Sequence, residues 1–545
     1  MTEITLLLGM LLAIALLATI ARQIGIPYPI LMVVGGLGLG LLLAMVPGIE
    51  LERFNLEPDL VFLLFLPPLL FSAAYFTSIR DFRRNLRPIG LLAVGLVVWT
   101  TLVVAFVARL LVPELPIEVA LALGAIVSPP DAVATTAVMR RVGAPRRILA
   151  ILEGESLVND ATALVALRFA LAGAAAAGLM AGGEAGQALA VAFPPSLAAL
   201  SAPVNFAVVA VGGVLIGLAV GTAFVWIFRR LVDPPVEVTL SLLSPYLAYL
   251  PAEQVHVSGV LAAVAAGLVL GRQAPRVMTS ETRLLGAGVW QMFIFLLNGF
   301  VFVLIGLQLP VILGALSDRS PLQLLGLGAA LSVTVIVVRI AWVFPATYLP
   351  RLLSQRLRER DPMPAWRHVF VVSWAGLRGI VSLAAALSLA ADVPYRDLVL
   401  FLTFSVILAT LVGQGLSLPW LTRRLGVTED AAAKDEESTA RAAAAEAALN
   451  RIGELERQWP DHQPLIDQLR GSYEHRAHHM PTDGNMGNLG SEEERELIEH
   501  TIIRRAVLDA ERDTVVALRD RSIINDEVLR RVERDIDLEE LRMEA

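Results

Sequence analysis

The sequence predicts an all-α membrane protein of about 13 transmembrane helices, with inverted repeats and two broken, crossing helices, followed by a helical cytoplasmic domain. Three observations predict it. Of the 545 residues, 56% are hydrophobic and the mean hydropathy is +0.66, too apolar for a soluble chain of this length. The apolar residues fall in stretches of about 18–25, the length that crosses a hydrocarbon core about 30 Å thick. Arginines recur in every second connecting segment, as they do when alternate loops face the cytoplasm.

The spans are expected near 3–21, 28–46, 58–77, 88–111, 116–139, 148–178, 204–228, 236–252, 256–271, 286–310, 321–345, 366–390 and 397–421. The first apolar stretch, Ile4–Ala21, follows Met1-Thr2-Glu3. It has no basic n-region and no small-residue cleavage site, so it reads as a retained span. The eighth and ninth are short and interrupted by Pro and Gly. Arg22 lies in the first loop, Arg80, Arg83, Arg84 and Arg87 in the third, and Arg140, Arg141, Arg146 and Arg147 in the fifth. Arg229 and Arg230 follow in the seventh, Arg272, Arg276 and Arg283 in the ninth, and Arg351, Arg356, Arg358, Arg360 and Arg367 in the eleventh. Even-numbered loops are acidic, proline-rich or nearly uncharged. The positive-inside rule therefore predicts an external N-terminus and a cytoplasmic C-terminus.

Charged residues within spans mark function, because each costs roughly 2.5–3.5 kcal/mol at a span centre. The acidic ones are Asp131, in Ser128-Pro129-Pro130-Asp131-Ala132, and Glu153, Glu155 and Asp160. Two consecutive prolines cannot continue a regular helix, so the fifth span breaks there. Freed carbonyls at membrane depth are tolerated where they line a cavity or hold a cation. An aspartate directly after the break favours the ion site over a simple kink. In the sixth span Ser156 and Asp160 lie four residues apart and share a face, with Glu153 on the same side. Glu155, Asn159 and Thr162 form a neighbouring stripe. One face thus offers a hydroxyl and a carboxylate, the hard oxygens an alkali cation requires. The other offers a carboxylate for an arginine, and Glu155 is expected to be that structural partner.

The intramembrane arginines are Arg168, Arg339 and Arg378. Arg339 has no acidic neighbour in its own span and needs one from elsewhere. Arg378 lies in Gly376-Leu377-Arg378-Gly379, glycine-rich enough to interrupt the twelfth span. Its charge there would offset carboxylate repulsion or a helix-end dipole. Arg168 either snorkels to the interface or forms an ion pair. The proline-broken fifth span with its acidic successor is echoed by the glycine-broken twelfth and thirteenth, entering from opposite sides as an inverted repeat requires.

Leu66-Pro67-Pro68-Leu69-Leu70-Phe71, Ser128-Pro129-Pro130-Asp131-Ala132-Val133-Ala134, Glu153-Gly154-Glu155-Ser156-Leu157-Val158-Asn159-Asp160-Ala161 and Gly376-Leu377-Arg378-Gly379 resemble the cation:proton antiporter-1 family, over residues from about 1 to 425. The closest likeness is to bacterial sodium/proton exchangers with a long cytoplasmic tail. The Gly-Glu-Ser-Leu-Val-Asn-Asp run is the specific part; Leu-Pro-Pro alone is weak. The resemblance implies a homodimer in the plasma membrane, each protomer having a scaffold and a six-helix core that moves by an elevator-like step. It implies that Asp160 binds Na+ and H+ in turn, with Asp131, Ser156, Asn159 and the backbone at Pro130 as neighbouring ligands or supports. It also implies that Glu155 pairs with either Arg339 or Arg378. Asn159 in place of a second aspartate implies electroneutral exchange, one Na+ for one H+. Many relatives have Thr-Asp-Pro at the break where this chain has Pro130-Asp131-Ala132. A threonine hydroxyl is therefore absent, and selectivity for Na+ over K+ or Li+ is the property affected.

The expected activity is secondary active exchange without a cofactor, the partners being monovalent cations, protons and the bilayer. A channel would not need broken helices with intramembrane charges of both signs. A membrane-embedded enzyme is disfavoured, since cysteine is absent and the membrane domain holds only His256 and His368, both near span ends. Residues 1–424 form the expected transmembrane exchanger domain and 425–545 a helical, regulatory cytoplasmic tail. More than half of the acidic residues and five of the seven histidines lie beyond Leu421. A single lysine, Lys434, among the basic residues reflects genome composition rather than nucleic-acid binding. In the tail Leu497, Ile498, Ile502 and Leu508 have helical spacing, Thr482–Gly490 reads as a linker, and His475, His478 and His479 are either a metal or pH site or a solvated cluster.

Overall fold

The computed structural model describes residues 2–45, 61–179, 202–316, 319–390, 392–427 and 431–478, with isolated positions between 507 and 539. Regular structure among the described residues is entirely helical. The chain divides into two compact units, Met1–Glu429 and Asp430–Ala545.

In the first unit α1 spans Thr2–Ile24 and α2 Tyr28–Ala44, whose N-cap is Pro27 and whose first turn holds Pro29, where a proline's fixed φ and missing N–H suit a helix start. A π turn at Val61–Phe65 leads into α3, Leu66–Phe76. The short α4, Ile79–Arg84, is capped by Ser78, and α5 runs Leu86–Leu111. The predicted fifth span is two pieces, α6 (Ile117–Val127) and α7 (Ala132–Arg141). Next come α8 (Arg146–Ala176), α9 (Ala202–Phe228), α10 (Pro234–Gln254), α11 (Gly259–Val277), α12 (Ser280–Ala315) and α13 (Pro321–Leu353). After α14 (Gln355–Arg360), the predicted twelfth span is likewise two pieces, α15 (Trp366–Trp374) and α16 (Ile380–Leu387), and α17 runs Arg396–Arg424.

Eight of these, α1, α5, α8, α9, α11, α12, α13 and α17, are long and apolar enough to cross a membrane; α2, α3 and α6 are shorter apolar helices. The boundaries differ from expectation most around the ninth to eleventh spans, the eleventh continuing from the expected 345 to Leu353. There α11 continues to Val277 and α12 begins at Ser280, because Arg272, Arg276 and Arg283 end the hydropathy signal without ending the helix.

Packing uses small residues for close backbone approach, since lipid gives helices no hydrophobic reason to associate. Helices α2 and α12 cross at Gly36, where an added Cβ would lie 2.2 Å from the Val303 carbonyl oxygen, and α9 meets α11 at Gly217, 2.2 Å from that of Ala262. A second set, α5, α8, α13 and α17, packs against the two broken pairs, and the largest buried cluster runs through these helices and on into α2 and α12.

In the second unit α18 spans Ala431–Gln458 and α19 Gln463–His478, packed as a hairpin. Arg470 pairs with Glu456 across it. His475 and His478 stand in the last turns of α19, though the described residues exclude their side chains and His479. Thr482–Gly490 and Leu497, Ile498 and Ile502 also lie outside the described residues, while Leu508 is buried in a helical segment.

Candidate ion-binding site

The prolines set the site's geometry. Pro129 has no N–H for the Ala125 carbonyl, which instead accepts from the Ser128 hydroxyl at 2.8 Å. After the break Asp131 caps α7, its Oδ1 accepting from the backbone N–H of Val133 at 2.8 Å and of Ala134 at 3.3 Å. In an unbroken helix the Ala134 N–H would have bonded to the Pro130 carbonyl. That carbonyl is released toward α8, where the Ser156 hydroxyl and Asn159 Nδ2 both donate to it at 3.3 Å.

The second break meets the first. The Asp131 backbone N–H donates to the Leu377 carbonyl at 2.7 Å, tying the two extended segments together. Asp131 Oδ2 is buried with no hydrogen-bond partner among the described residues, and it lies against Gly379, where an added Cβ would come within 1.7 Å. Gly379 is the N-cap of α16. The positive ends of two half-helices, α7 and α16, thus converge on one carboxylate.

Asp160, 4% exposed, faces the same place from α8. It lines a cavity of about 40 Å³ together with Pro130, Asp131, Glu153, Ser156 and Ser382. That volume suits a dehydrated ion or a water or two. Among the described residues Asp160 has no ion-pair partner, and its neighbours are only partly committed: the Ser156 hydroxyl and Asn159 Nδ2 to Pro130, and one oxygen of Asp131 to α7, while Asp131 Oδ2, Asn159 Oδ1 and the Ser382 hydroxyl are buried without a hydrogen-bond partner among the described residues.

Of the two open choices for Glu155, Arg339 occupies the position. Its Nη1 and Nη2 donate to Glu155 Oε1 and Oε2 at 2.6 and 2.9 Å, and Nη2 also to the Val372 carbonyl at 3.2 Å. Arg378 is fully buried in the break between α15 and α16. Its backbone N–H donates to the Thr410 hydroxyl at 3.0 Å, and its guanidinium has no hydrogen-bond partner among the described residues. It does not line the small cavity. Arg168 does not snorkel alone, since its Nη2 donates to Glu253 at 3.0 Å, and Glu253 also accepts from the Gly259 N–H.

Sequence reasoning treated Asp131 as an ion ligand and did not see its capping role, although an aspartate just before Ala132-Val133-Ala134 carries the N-cap signal. It also missed Thr410 and the cluster at Asp361, whose carboxylate meets Arg147 at 2.7 Å, Arg351 at 2.5 Å and Arg87 at 3.8 Å. Burial raises the Asp361 carboxyl. The hydrogen bond and charge of Arg147, with the charges of Arg351 and Arg87, outweigh that and hold it below its ordinary value.

Residues 10–424 match the family described as "Sodium/hydrogen exchanger, transmembrane". The chain is 35% identical over 557 residues to an uncharacterised Na(+)/H(+) exchanger of Mycobacterium tuberculosis, covering 99% of this chain and 97% of that one. It is 33% identical over 413 residues to a Bacillus subtilis protein named as a sodium, potassium, lithium and rubidium/H(+) antiporter, covering 73% of this chain and 58% of that one. Among solved structures, the fold resembles the sodium proton antiporter MjNhaP1 of Methanocaldococcus jannaschii, with a TM-score of 0.56 and 19% identity, covering 78% of this chain and 99% of that one.

Proposed function

The chain belongs to the sodium/hydrogen exchanger family, and on that premise we propose that it exchanges Na+ for H+ across the plasma membrane by alternating access, one for one. The observation that carries this reading is Asp160: a buried carboxylate in an ion-sized cavity, without an ion-pair partner among the described residues, beside the Asp131 Oδ2 and Ser382 hydroxyl oxygens, which also lack a hydrogen-bond partner there.

A bare carboxylate is costly away from water, and either a proton or a cation neutralises it, not both. Proton and Na+ therefore compete for Asp160. With either one bound the core is close to neutral and crosses the apolar environment far more cheaply than when empty. Asp131 lies beside Asp160 and its free oxygen supports the bound ion, while the Ser156 hydroxyl reaches it on turning from Pro130. Arg378 offsets the surrounding acidic charge from behind the break. The remaining features of the proposal are about 13 crossings, an external N-terminus, a cytoplasmic tail and a homodimer. They are supported by the alternating arginine loops and by the family.

A broader cation range is the second reading. It is favoured by the Bacillus subtilis relative, whose name includes potassium, lithium and rubidium, and by Pro130, which offers no hydroxyl. Dequenching of a pH dye in everted vesicles tests both, with Na+, Li+ and K+ added separately. Response to Na+ that disappears in Asp160→Asn, a variant that still purifies as folded protein, is the expected result. Equal exchange in that variant would overturn the assignment of Asp160, and an equal response to K+ would establish the broader range.

A further inference from the structure

A second, far larger cavity of about 830 Å³ opens beside the small one, lined by Arg22, Arg140, Arg141, Tyr28, Gln291 and Glu153 among others. Its basic residues all come from loops expected to be cytoplasmic. Leu69, Ala73, Val133 and Glu153 line both cavities, and of these four Glu153 alone is polar. Among the described residues Glu153 is also the single acidic side chain lining the large cavity, against three arginines. It precedes Asp160 by seven residues on α8, hence lies about 20° from it on the same face and about 10 Å away along the axis.

Glu153 is held, though loosely. Arg140 Nη2 donates to its Oε1 at 2.8 Å, the side chains being 65% and 20% exposed respectively. An ion pair this open contributes at most about 1 kcal/mol, so an arriving cation can replace Arg140.

We propose that Glu153 is the threshold carboxylate of the exchanger. It draws a monovalent cation out of the cytoplasmic vestibule past three arginines and passes it to Asp160, with Arg140 holding it when no cation is present. This rests on the exchange reading above and adds a sidedness to it. Without Glu153, the charged side chains that line the vestibule among the described residues are all basic and repel the ion it must admit.

The test compares everted and right-side-out vesicles, measuring the apparent KM for Na+ at each face. Glu153→Gln should raise KM about three- to fivefold at the cytoplasmic face and leave the opposite face unchanged, with a smaller effect on maximal rate. Arg140→Gln should lower the cytoplasmic KM, and the double variant should behave as Glu153→Gln. An unchanged KM in Glu153→Gln, or an equal rise at both faces, overturns the proposal. Should that variant not fold, Arg140→Gln decides alone, since an unchanged cytoplasmic KM there overturns it equally. Absence of exchange by the unaltered protein in the same vesicles would instead sink the exchange reading itself.

Discussion

Arg339 reaches from α13 to Glu155 on α8 with both terminal nitrogens, at 2.6 and 2.9 Å, and both side chains are 1% exposed. The same guanidinium donates to Val372 on α15, so three helices are fastened at one buried point. Gly376 makes the passage possible: a Cβ there would lie 2.5 Å from Arg339 Cδ. Glu155 lies one residue from Ser156 and five from Asp160, close enough to fix where the candidate ion-binding face of α8 points.

Removing either partner leaves a buried charge without its counter-ion, a loss of about 3–5 kcal/mol. Glu155→Gln and Arg339→Leu should therefore each lower folded yield and the thermal midpoint in detergent, measured by size-exclusion and thermal unfolding. Replacing both by leucine should recover much of the stability, because two apolar side chains carry no uncompensated charge. A well-folded Glu155→Gln protein that cannot exchange Na+ would mean that Glu155 takes part in transport rather than in holding the core.

Gly379→Ala should be more damaging than its size implies. The new methyl would sit 1.7 Å from Asp131 Oδ2, and Asp131 cannot yield without releasing the cap on α7 and the link to Leu377. A strained insertion of this kind costs about 1–3 kcal/mol or more. The expected outcome is loss of exchange with partial retention of fold, read by vesicle flux and gel filtration together. Normal flux would show that the crossing of α7 and α16 tolerates separation.

Much of this site is written in local sequence. Pro129-Pro130 announces the break because a missing N–H is a property of the residue itself, and the four-residue spacing of Ser156 and Asp160 fixes their common face. The choice between Arg339 and Arg378 was not legible. Arg339 and Glu155 are 184 residues apart, and only packing decides which buried arginine reaches across. Asp131 carries an N-cap signal in its local sequence, but the ion-ligand expectation overrode it, since a ligand and a cap use the same carboxylate oxygens. The large cavity was invisible for a different reason: it is a space between helices, and its arginines read as loop charges that orient the chain.

The cluster at Asp361 joins Arg87 at the start of α5, Arg147 at the start of α8 and Arg351 at the end of α13. Asp361→Asn should reduce stability by about 1.5–3 kcal/mol, the range for hydrogen bonds to charged groups, seen as a lower unfolding temperature in detergent. The carboxyl is held below its ordinary value, so its stabilising contribution is complete above about pH 4 and lost as pH falls through the folded-state value. The gap between variant and parent should therefore be constant from about pH 6 to pH 9. A gap that changes across that interval would mean that another titrating group controls the cluster.

The proposed one-for-one stoichiometry rests on which carboxylates are free to exchange a proton. Three acidic side chains line the small cavity, Asp131, Glu153 and Asp160. In the proposed exchange Asp131, fixed between two helix starts, and Glu153, which holds Arg140 or a passing cation, transfer no proton, and Asp160 alone releases one for each Na+ it takes. Exchange of one positive charge for another moves no net charge. In proteoliposomes clamped at different potentials, the Na+ gradient that just balances a given pH gradient should therefore equal it and should not move with voltage. With two protons per Na+, each turnover would carry one net charge, worth about 2.3 kcal/mol per 100 mV. The balance point would then shift steeply on changing the clamp, and Asp131 or Glu153 would have to be counted as a second proton carrier.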